Sequence, residues 1–502
     1  MGRYVIGVDN GGTFIKAGMY DQDGTLVALA KERNVVRALA GGRVEVDQEE
    51  LWQANCRCVR RLMADSGVPP EEVECLGFAG QGKGLWLLGD RGELVRAGIT
   101  SADDRAWRYA EQWKADGRAA AIFPATLQGL FSSHPVTILR WLKDHEPEVY
   151  DAARWVFSMK DYLVFRATGE VVSDYCNQSG NSFINLATRE YDPTILEKLG
   201  VPEFIEKLPP LFEAAEVVGS VTAAAAAELG CAGGTAVIAG MFDVDASAVA
   251  AGLVDQSVVC LITGTAGVNV YAAPEPVADG SVAMNSLYCI PQTYLVEEGS
   301  NTSVGTMEWV ADTLFGPELR AAWDDRSAVY GQMAGAARSV EVTSSDAVFL
   351  PFLQGDGFGG RSGGVWAGLS STDRREHLTR AAFEGVVFAH RRHIDRLLRH
   401  RPAPRAYRIA GGAARSAHWV QLFADVLQRP IEVTTESELG VKGVGIAAGI
   451  ATGVYTGFAD AVAKLAPANE TVEPDAAMAE HYDRKYDRFS RAAERLRDVW
   501  AD

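Results

Sequence analysis

The chain has 502 residues and a formal net charge of −18, from 48 basic and 66 acidic side chains. So acidic a surface repels nucleic acids and anionic membranes, and neither is expected as a partner. With 47% hydrophobic residues the composition is that of an ordinary globular protein, and the length suits two large domains.

Two further features bear on where the protein works. No apolar run approaches the roughly 20 residues that a membrane-spanning helix needs, which predicts a cytoplasmic protein. The seven cysteines include no C-x-x-C pair. They therefore predict reduced thiols in the core rather than disulfides or a metal site.

The first stretch with a chemical signature is a predicted β-hairpin over residues 4–20. Two apolar runs flank Asn10-Gly11-Gly12-Thr13, and Asn-Gly is typical of a tight turn with positive φ. Bare glycine N–H groups can cradle phosphates, Thr13 adds a hydroxyl and Lys16 a positive charge, while Asp9 at the strand end can hold a divalent cation. A nucleotide clamp is one interpretation, and an ordinary tight hairpin is the other.

A second glycine-rich loop follows the strand expected at residues 73–78. Residues 77–84 differ by one residue from a Walker A loop, because Gly84 stands where that motif needs a Ser or Thr to ligate magnesium. Gln81 and Lys83 can instead donate hydrogen bonds to a hydroxyl or a carbonyl, which suits a polyhydroxylated ligand. A solvated lysine in a glycine turn is the alternative.

A candidate base lies where a strand ending at Gly240 meets a predicted helix of small residues. Asp243 stands at this junction, and the helix dipole is expected to keep its carboxylate ionised, as a base that accepts a hydroxyl proton must be. Asp245 competes for the same role. An N-cap aspartate with no catalytic function is a further alternative.

Residues 258–271 repeat the design of the first hairpin about half a chain later. Apolar strands flank a turn that contains Gly264 and Thr265. A duplication with one such hairpin in each half predicts two similar domains, each contributing one turn to the phosphates of a nucleotide.

With both hairpins in order, the sequence resembles the actin-like ATPase superfold and, within it, the FGGY family of carbohydrate kinases. The resemblance covers essentially the whole chain and is most specific over residues 364–385, which match the family's C-terminal signature. It implies an α/β fold of two actin-like (ribonuclease H-like) ATPase domains, residues 1–252 and 253–502, with the ligand cleft between them. The first would carry the sugar site and the base, and the second the nucleotide site.

The resemblance also implies roles for residues around the sugar. The family places its catalytic base at the position of Asp243, beside Phe242, which leaves Asp245 as a helix cap or a surface residue. In xylulose kinases the sugar loop reads Gly-Gln-Met-His-Gly, whereas here Gln81-Gly82-Lys83 precede Gly84. This departure resembles the L-xylulose kinases and puts D-xylulose in doubt as the substrate.

A further family segment contacts the acceptor sugar and matches this chain at Asp103 and Arg105. The tryptophan of that segment is missing here. Arg105 as a structural salt-bridge partner is the alternative that the sequence leaves open.

For the nucleotide, the resemblance implies an ATP site shared by both halves. It adds Gly305, at a turn that enters a helix, and the adenosine-lining Gly411, Gly412 and Ala413. The expected ATP-binding residues are thus Gly11, Gly12, Thr13, Lys16, Gly264, Thr265, Gly305, Gly411, Gly412 and Ala413. Asp9 is the expected Mg²⁺ ligand.

The expected reaction transfers a phosphoryl group from Mg-ATP to a primary hydroxyl of a ketopentose, with L-xylulose first. D-xylulose, ribulose, erythritol, glycerol and keto-hexonates are alternative substrates. A non-enzymatic actin-like ATPase scaffold is the alternative from another class of protein, although Asp243 and the polar sugar loop speak against it. A dehydrogenase is disfavoured because the first turn lacks G-x-G-x-x-G spacing. A homodimer is left open.

Overall fold

A computed structural model of the chain describes residues 3–264, 266–300, 302–321, 326–353, 355–356, 362–434, 438–465 and 469–500. The strands of the N-terminal half are β1 (Tyr4–Asn10), β2 (Phe14–Tyr20), β3 (Leu26–Arg33), β4 (Arg37–Leu39), β5 (Arg43–Val46), β6 (Val73–Gly80), β7 (Trp86–Leu88), β8 (Gly98–Ile99), β9 (Trp155–Phe157), β10 (Ser173–Asp174), β11 (Ile184–Asn185), β12 (Glu190–Tyr191), β13 (Leu211–Phe212), β14 (Val217–Ser220), β15 (Ala236–Ile238) and β16 (Met241–Phe242).

The strands of the C-terminal half are β17 (Val258–Thr263), β18 (Gly267–Ala273), β19 (Met284–Leu287), β20 (Tyr294–Ser300), β21 (Val348–Pro351), β22 (Gly364–Ala367), β23 (Ala406–Gly411), β24 (Ile431–Thr434) and β25 (Asn469–Val472).

The α-helices are α1 (Gln48–Ser66), α2 (Trp107–Ala115), α3 (Arg118–Thr126), α4 (Pro135–His145), α5 (Pro147–Ala152), α6 (Met159–Thr168), α7 (Tyr175–Gly180), α8 (Pro193–Leu199), α9 (Ala223–Leu229), α10 (Asp243–Ala250), α11 (Gly305–Leu314), α12 (Gly316–Ala321), α13 (Arg326–Arg338), α14 (Arg375–Leu397), α15 (Ala417–Leu427), α16 (Leu439–Ala451), α17 (Phe458–Lys464), α18 (Ala479–Arg495) and α19 (Arg497–Trp500).

The two main sheets share one topology. In the N-terminal sheet β3, β2 and β1 are antiparallel, and β6 and then β15 continue the sheet in parallel beyond β1. In the C-terminal sheet β20, β18 and β17 are antiparallel, followed in parallel by β23 and β24. The predicted duplication, and with it the fold of two actin-like α/β domains, is confirmed. The boundary between residues 252 and 253 stays a prediction.

The first hairpin forms as predicted, but its turn differs from the expected one. Gly11 N–H donates to the Phe14 carbonyl oxygen at 3.1 Å, closing a four-residue connection between paired Asn10 and Ile15. Neither Gly11 nor Gly12 has a positive φ. The prediction of a tight positive-φ turn was wrong because the loop is long enough to reverse the chain without it.

Two helices of small residues join the halves of the molecule. Helix α16, from the C-terminal half, packs on β1, where a Cβ atom on Gly7 would overlap the Val441 carbonyl oxygen. Helix α10 crosses α16 so closely that a Cβ atom on Gly443 would overlap the backbone of Ala246. Only glycine permits two backbones to approach this closely, so the positions of the glycines in the sequence determine where the two helices cross.

The prediction that the cysteines are reduced core thiols is confirmed. All seven cysteines are buried and free, as expected of reduced core thiols. Within the described ranges, no helix combines the length and the apolar character required to cross a membrane.

The helix crossing generates the first testable prediction. Gly443→Ala should lower the free energy of unfolding by about 1–3 kcal/mol, because the added methyl must displace backbone. Urea unfolding of the variant measures this loss. Gly335→Ala is the control, since a Cβ atom there meets no atom within 4 Å, and it should be neutral or slightly stabilising. Equal stability of the two variants would contradict the close crossing.

Candidate active site

Three parallel strand ends meet at one edge of the N-terminal sheet. Strand β6 lies between β1 and β16, with Asp9 paired to Ala79 and Phe242 paired to Gly80. Carboxyl ends of neighbouring parallel strands are where α/β proteins assemble ligand sites. The fold therefore brings Asp9, the glycine-rich loop after β6 and Asp243 together, although they are far apart in sequence.

Asp243 is the first residue of α10 and follows a constrained turn. Gly240 has a φ of 77°, and a Cβ atom there would overlap the Phe78 carbonyl oxygen. Burial raises the pKa of Asp243 to about 7, the nearby Asp9 carboxylate adds to the shift, and the Val244 N–H opposes it. Burial thus opposes the helix dipole that was expected to keep Asp243 ionised, and the carboxyl group titrates near neutral pH rather than near 4. A carboxyl group with a pKa near 7 is suited to general-base work.

Asp9 supplies a second carboxylate at the same edge. Burial raises its pKa to about 6, against the opposing charge of Lys16. Its Oδ1 atom is buried and has no hydrogen-bond partner among the described residues. Helix α16 packs directly onto this side chain, and a Cβ atom on Gly440 would overlap the carboxylate. Mg²⁺ in nucleotide sites is bound by one or two carboxylates together with the phosphates of the substrate, so a single carboxylate such as Asp9 fits the expected role.

Lys16 forms an ion pair that the sequence did not reveal. Its Nζ atom lies 2.7 Å from Oε2 of Glu438, and Lys31 contacts the other oxygen of the same carboxylate at 2.6 Å. Glu438 is buried and immediately precedes α16. Lys16 thus bonds to the C-terminal half of the molecule, and its contact with phosphate stays a prediction.

The loop after β6 holds Lys83 in an unusual backbone conformation. Its φ is 64°, in the left-handed region that non-glycine residues enter at a cost. The Lys83 N–H donates to Asn181 Oδ1 at 3.0 Å, and the Gly84 N–H donates to the Ser133 carbonyl at 2.8 Å. These two bonds fix the loop and compensate for the strain.

The Lys83 side chain is bonded within the protein, which excludes the solvated-lysine alternative. Its Nζ atom donates to the Gly180 carbonyl at 2.7 Å and to Met284 Sδ at 3.0 Å. Burial lowers its pKa to about 8, while the carboxylates of Glu297 and Asp243 oppose that shift. An ammonium group so held can donate its remaining hydrogen to a ligand.

The other predicted sugar-site residues lie around this lysine. Gln81 accepts a hydrogen bond from Ser101 Oγ at 2.6 Å. Gly82 lies beside Phe242, where a Cβ atom would meet the ring at 2.7 Å, and the Lys83 ammonium is 5.9 Å from the ring centroid. The predicted set Gln81, Gly82, Lys83, Phe242 and Asp243 is therefore one cluster.

Asp103 and Arg105 form a buried structural pair. Arg105 donates to Asp103 through Nε at 2.8 Å and to Glu45 through Nη2 at 2.6 Å. The second Asp103 oxygen accepts from the Val44 N–H at 2.6 Å, and the guanidinium lies 5.2 Å from the Trp141 ring centroid. These contacts favour the salt-bridge alternative, and direct contact with a sugar stays a prediction.

Asp245 is neither a helix cap nor a surface residue, so that assignment was wrong. Its side chain is fully buried, and its Oδ1 atom accepts the Cys289 N–H at 2.9 Å. Burial raises its pKa well above the usual range, against the opposing effect of the Cys289 N–H. Position 245 faces the core because the α10 helix is packed from both sides.

Glu297 is a site residue that the sequence reasoning missed. It lies on β20 in the C-terminal half, and one carboxylate oxygen is buried without a partner in the described part of the chain. Burial raises its pKa to about 7, against the opposing charge of Lys83. The available signal was an acidic pair, Glu297-Glu298, within an otherwise apolar strand.

The turn of the second hairpin is joined to the predicted adenosine turn. Strands β17 and β23 are parallel neighbours with Thr263 paired to Gly411, whose φ is 92°. The Gly412 N–H donates to the Thr263 carbonyl at 2.7 Å, and the Ala413 N–H donates to Thr263 Oγ1 at 3.1 Å. The two predicted nucleotide segments thus form one structure.

Two further predicted residues belong to the same region. The Val304 N–H donates to the Gly264 carbonyl at 3.1 Å, and Gly305 then begins α11. Gly264 and Gly305 are therefore close in space, and their contact with ATP stays a prediction. Thr265 lies outside the described residues.

Comparison with known proteins decides the family. The model of the N-terminal domain of the FGGY family of carbohydrate kinases matches residues 4–250, and the model of its C-terminal domain matches residues 259–452. The chain belongs to the FGGY family of carbohydrate kinases. FGGY kinases use ATP to phosphorylate a sugar, so the protein is a phosphotransferase with an alcohol acceptor, and the scaffold and dehydrogenase alternatives are set aside.

Individual relatives cover the whole length of this FGGY kinase. An L-xylulose/3-keto-L-gulonate kinase of Escherichia coli K12 is 34% identical, over 97% of this chain and 96% of its own. A probable L-xylulose kinase of Pasteurella multocida Pm70 is 33% identical, over 99% of both chains. The crystal structure of a xylulose kinase from Rhodospirillum rubrum is 29% identical, covers both chains fully and has a TM-score of 0.87.

The raised pKa of Asp243 predicts a pH-dependent gain in stability from Asp243→Asn. In the folded protein Asp243 keeps its proton up to about pH 7, whereas in the unfolded chain it has its ordinary pKa of 3.8. As the pH rises between these two values, the unfolded chain loses the proton first, and the folded state therefore becomes less stable relative to it. The variant should unfold at a higher temperature than the wild type at pH 8, and the difference should shrink as the pH falls towards 4. Calorimetry at several pH values measures it.

Asp47→Asn, at the exposed N-cap of α1, is the control and should unfold at about the wild-type temperature at pH 8, because asparagine caps a helix about as well as aspartate. A variant at position 243 that is less stable than the wild type at pH 8 would contradict the burial of a destabilised carboxylate.

Proposed function

We propose that this FGGY kinase transfers the terminal phosphoryl group of Mg-ATP to a primary hydroxyl of a neutral ketopentose, with L-xylulose as the preferred substrate. The observation that carries the proposal is the cluster of Asp243, Phe242 and Lys83 at the strand ends, with Asp9 beside it. Relatives named as L-xylulose kinases, at 30–34% identity over nearly the full length, support the choice of sugar.

Asp243 is the proposed general base. Phosphoryl transfer needs one carboxylate to accept the proton of the attacking hydroxyl, while the rest of the site positions the groups and stabilises charge. A pKa of about 7 leaves a large fraction of Asp243 ionised near neutral pH and strong enough to accept a proton. Asp245 is the weaker candidate, because its side chain is fully buried in the core and accepts the Cys289 N–H.

The proposed ATP site uses backbone groups from both halves. Gly11, Gly12 and Thr13 of the first turn, with Lys16, and Gly264 and Thr265 of the second would hold the phosphates, because glycine turns present bare N–H donors. Gly305, Gly411, Gly412 and Ala413 would line the adenosine. Asp9 would hold Mg²⁺, which would neutralise charge that develops on the phosphoryl group.

The proposed sugar site consists of the loop after β6 and the start of α10. Lys83 and Gln81 donate to sugar oxygens, and Phe242 offers an apolar face to the carbon chain. Asp103 and Arg105 hold the segment behind this loop in place through Glu45. A cytoplasmic location and a homodimer stay predictions.

Asp243→Asn should abolish most of the turnover while the protein folds and binds ATP. Loss of a positioned base costs about 10²–10⁴-fold in rate, so a fall in kcat of roughly a thousandfold is expected in a coupled assay of ADP release. Asp47→Asn is the matched control and should retain full turnover. Near-normal turnover of the variant at position 243 would remove Asp243 from the mechanism.

A screen of ketopentoses, ketohexoses and polyols in the same assay tests the substrate. L-xylulose should give the highest kcat/KM, because a site built to bond particular hydroxyls rejects isomers that leave its polar groups unpaired. A higher kcat/KM for D-xylulose would contradict the assignment, and activity on glycerol alone would move the protein to another branch of the family.

Lys83→His should lower kcat/KM most for the best sugar, whereas a uniform loss would make Lys83 a structural residue of the loop.

A further inference from the structure

Glu297 and Lys83 come from opposite halves of the molecule and meet at the sugar site. Glu297 on β20 is paired directly with Met284 on β19, and Met284 Sδ accepts the hydrogen bond from Lys83 Nζ at 3.0 Å. Side chains of directly paired residues project from the same face of a sheet, about 5 Å apart. The Glu297 carboxylate therefore flanks the Lys83 ammonium.

Glu297 has an unsatisfied oxygen at this place. Its Oε2 atom is buried without a hydrogen-bond partner in the ranges that the structure describes. The next residue, Glu298, points to the other face of the strand, and there its carboxylate has partners. It contacts His393 Nδ1 at 2.8 Å and accepts a hydrogen bond from the Ala283 N–H at 2.7 Å. A buried carboxylate oxygen that lacks a partner is costly unless a ligand supplies one.

Lys83 cannot serve as a free receptor for an anion. Two of its three donors are used by the Gly180 carbonyl and Met284 Sδ. Its charge is shared between Glu297 and Asp243, both of which act on it electrostatically. The site thus combines one cation with two carboxyl groups, and Asp9 adds a third beside Asp243.

On the basis of the proposed function, we propose that Glu297 accepts hydrogen bonds from hydroxyls of the bound ketose and thereby selects a neutral sugar over a sugar acid. A hydroxylated carbon chain brings the donors that the unpartnered oxygen requires. A substrate carboxylate brings only acceptors and a further negative charge into a site already rich in carboxyl groups. Glu297 is a specificity-determining ligand that the C-terminal half supplies to the sugar site.

One pair of substrates isolates this effect. The Escherichia coli relative is named for both L-xylulose and 3-keto-L-gulonate. The second compound is the carbon chain of L-xylulose with an added carboxylate, so the two differ by the group that Glu297 is proposed to reject. The wild-type protein should phosphorylate L-xylulose with the higher kcat/KM.

The test is steady-state ADP release by the wild type and by Glu297→Gln with each of these two substrates. Glutamine keeps the shape of the side chain but loses the charge. It should raise the KM for L-xylulose on the order of tenfold with little change in kcat, and leave the KM for ATP unchanged. The ratio of kcat/KM for the acid to that for L-xylulose should rise by roughly tenfold or more.

Two further variants separate charge and ligation from structure. Glu297→Asp keeps the negative charge but places it one methylene group further from the sugar. It should therefore raise the KM for L-xylulose, while the preference for L-xylulose over the acid persists. Glu298→Gln, one residue along on the opposite face, should lower the thermal stability and leave the substrate ratio as in the wild type.

An unchanged substrate ratio in a folded Glu297→Gln protein would overturn the role of Glu297, as would a wild type that prefers the sugar acid. A wild type that releases no ADP with any ketopentose would instead refute the proposed function itself, and the proposal for Glu297 with it.

Discussion

The crossing of α10 and α16 is the constraint on which the site depends. Helix α10 begins at Asp243, while Gly440, in the first turn of α16, lies against the carboxylate of Asp9. Three residues later, Gly443 brings the two backbones into contact at Ala246. The positions of both carboxylates thus follow from one backbone contact between the halves. Functional groups placed on helices and strands are held more precisely than those placed on loops.

Burial of like charges is the energetic cost of this arrangement. Asp9, Asp243 and Glu297 all have pKa values raised to between about 6 and about 7, primarily by burial. Lys83, whose own pKa falls to about 8, is the counter-charge to Asp243 and Glu297, and Lys16 is that to Asp9. Buried carboxyl groups of this kind destabilise the fold, and the proposed ligands, Mg²⁺ and a hydroxylated substrate, would offset that cost. This is the usual relation between function and stability in active sites.

Local patterns in the sequence predicted the fold and several residues of the candidate site, whereas they could not predict contacts between distant segments. Glycine turns between apolar strands revealed the two hairpins, and Asp243 stood out at a strand-to-helix junction. The ion pair of Lys16 with Glu438 joins residues more than 400 positions apart, and no local pattern indicates it. Glu297 was missed because its role depends on register with Met284. Asp245 was misjudged because its helix is buried on more than one side.

Proton-coupled ³¹P NMR of the product formed from ATP and L-xylulose tests the central claim most directly. Transfer to a terminal primary hydroxyl attaches phosphorus beside a CH₂ group, so the account predicts a triplet from the sugar phosphate together with the signals of ADP. A doublet would place the phosphoryl group on a secondary hydroxyl. A singlet of inorganic phosphate alone would show hydrolysis of ATP without transfer. Either of these results would contradict an Asp243-assisted transfer to the end of a ketose.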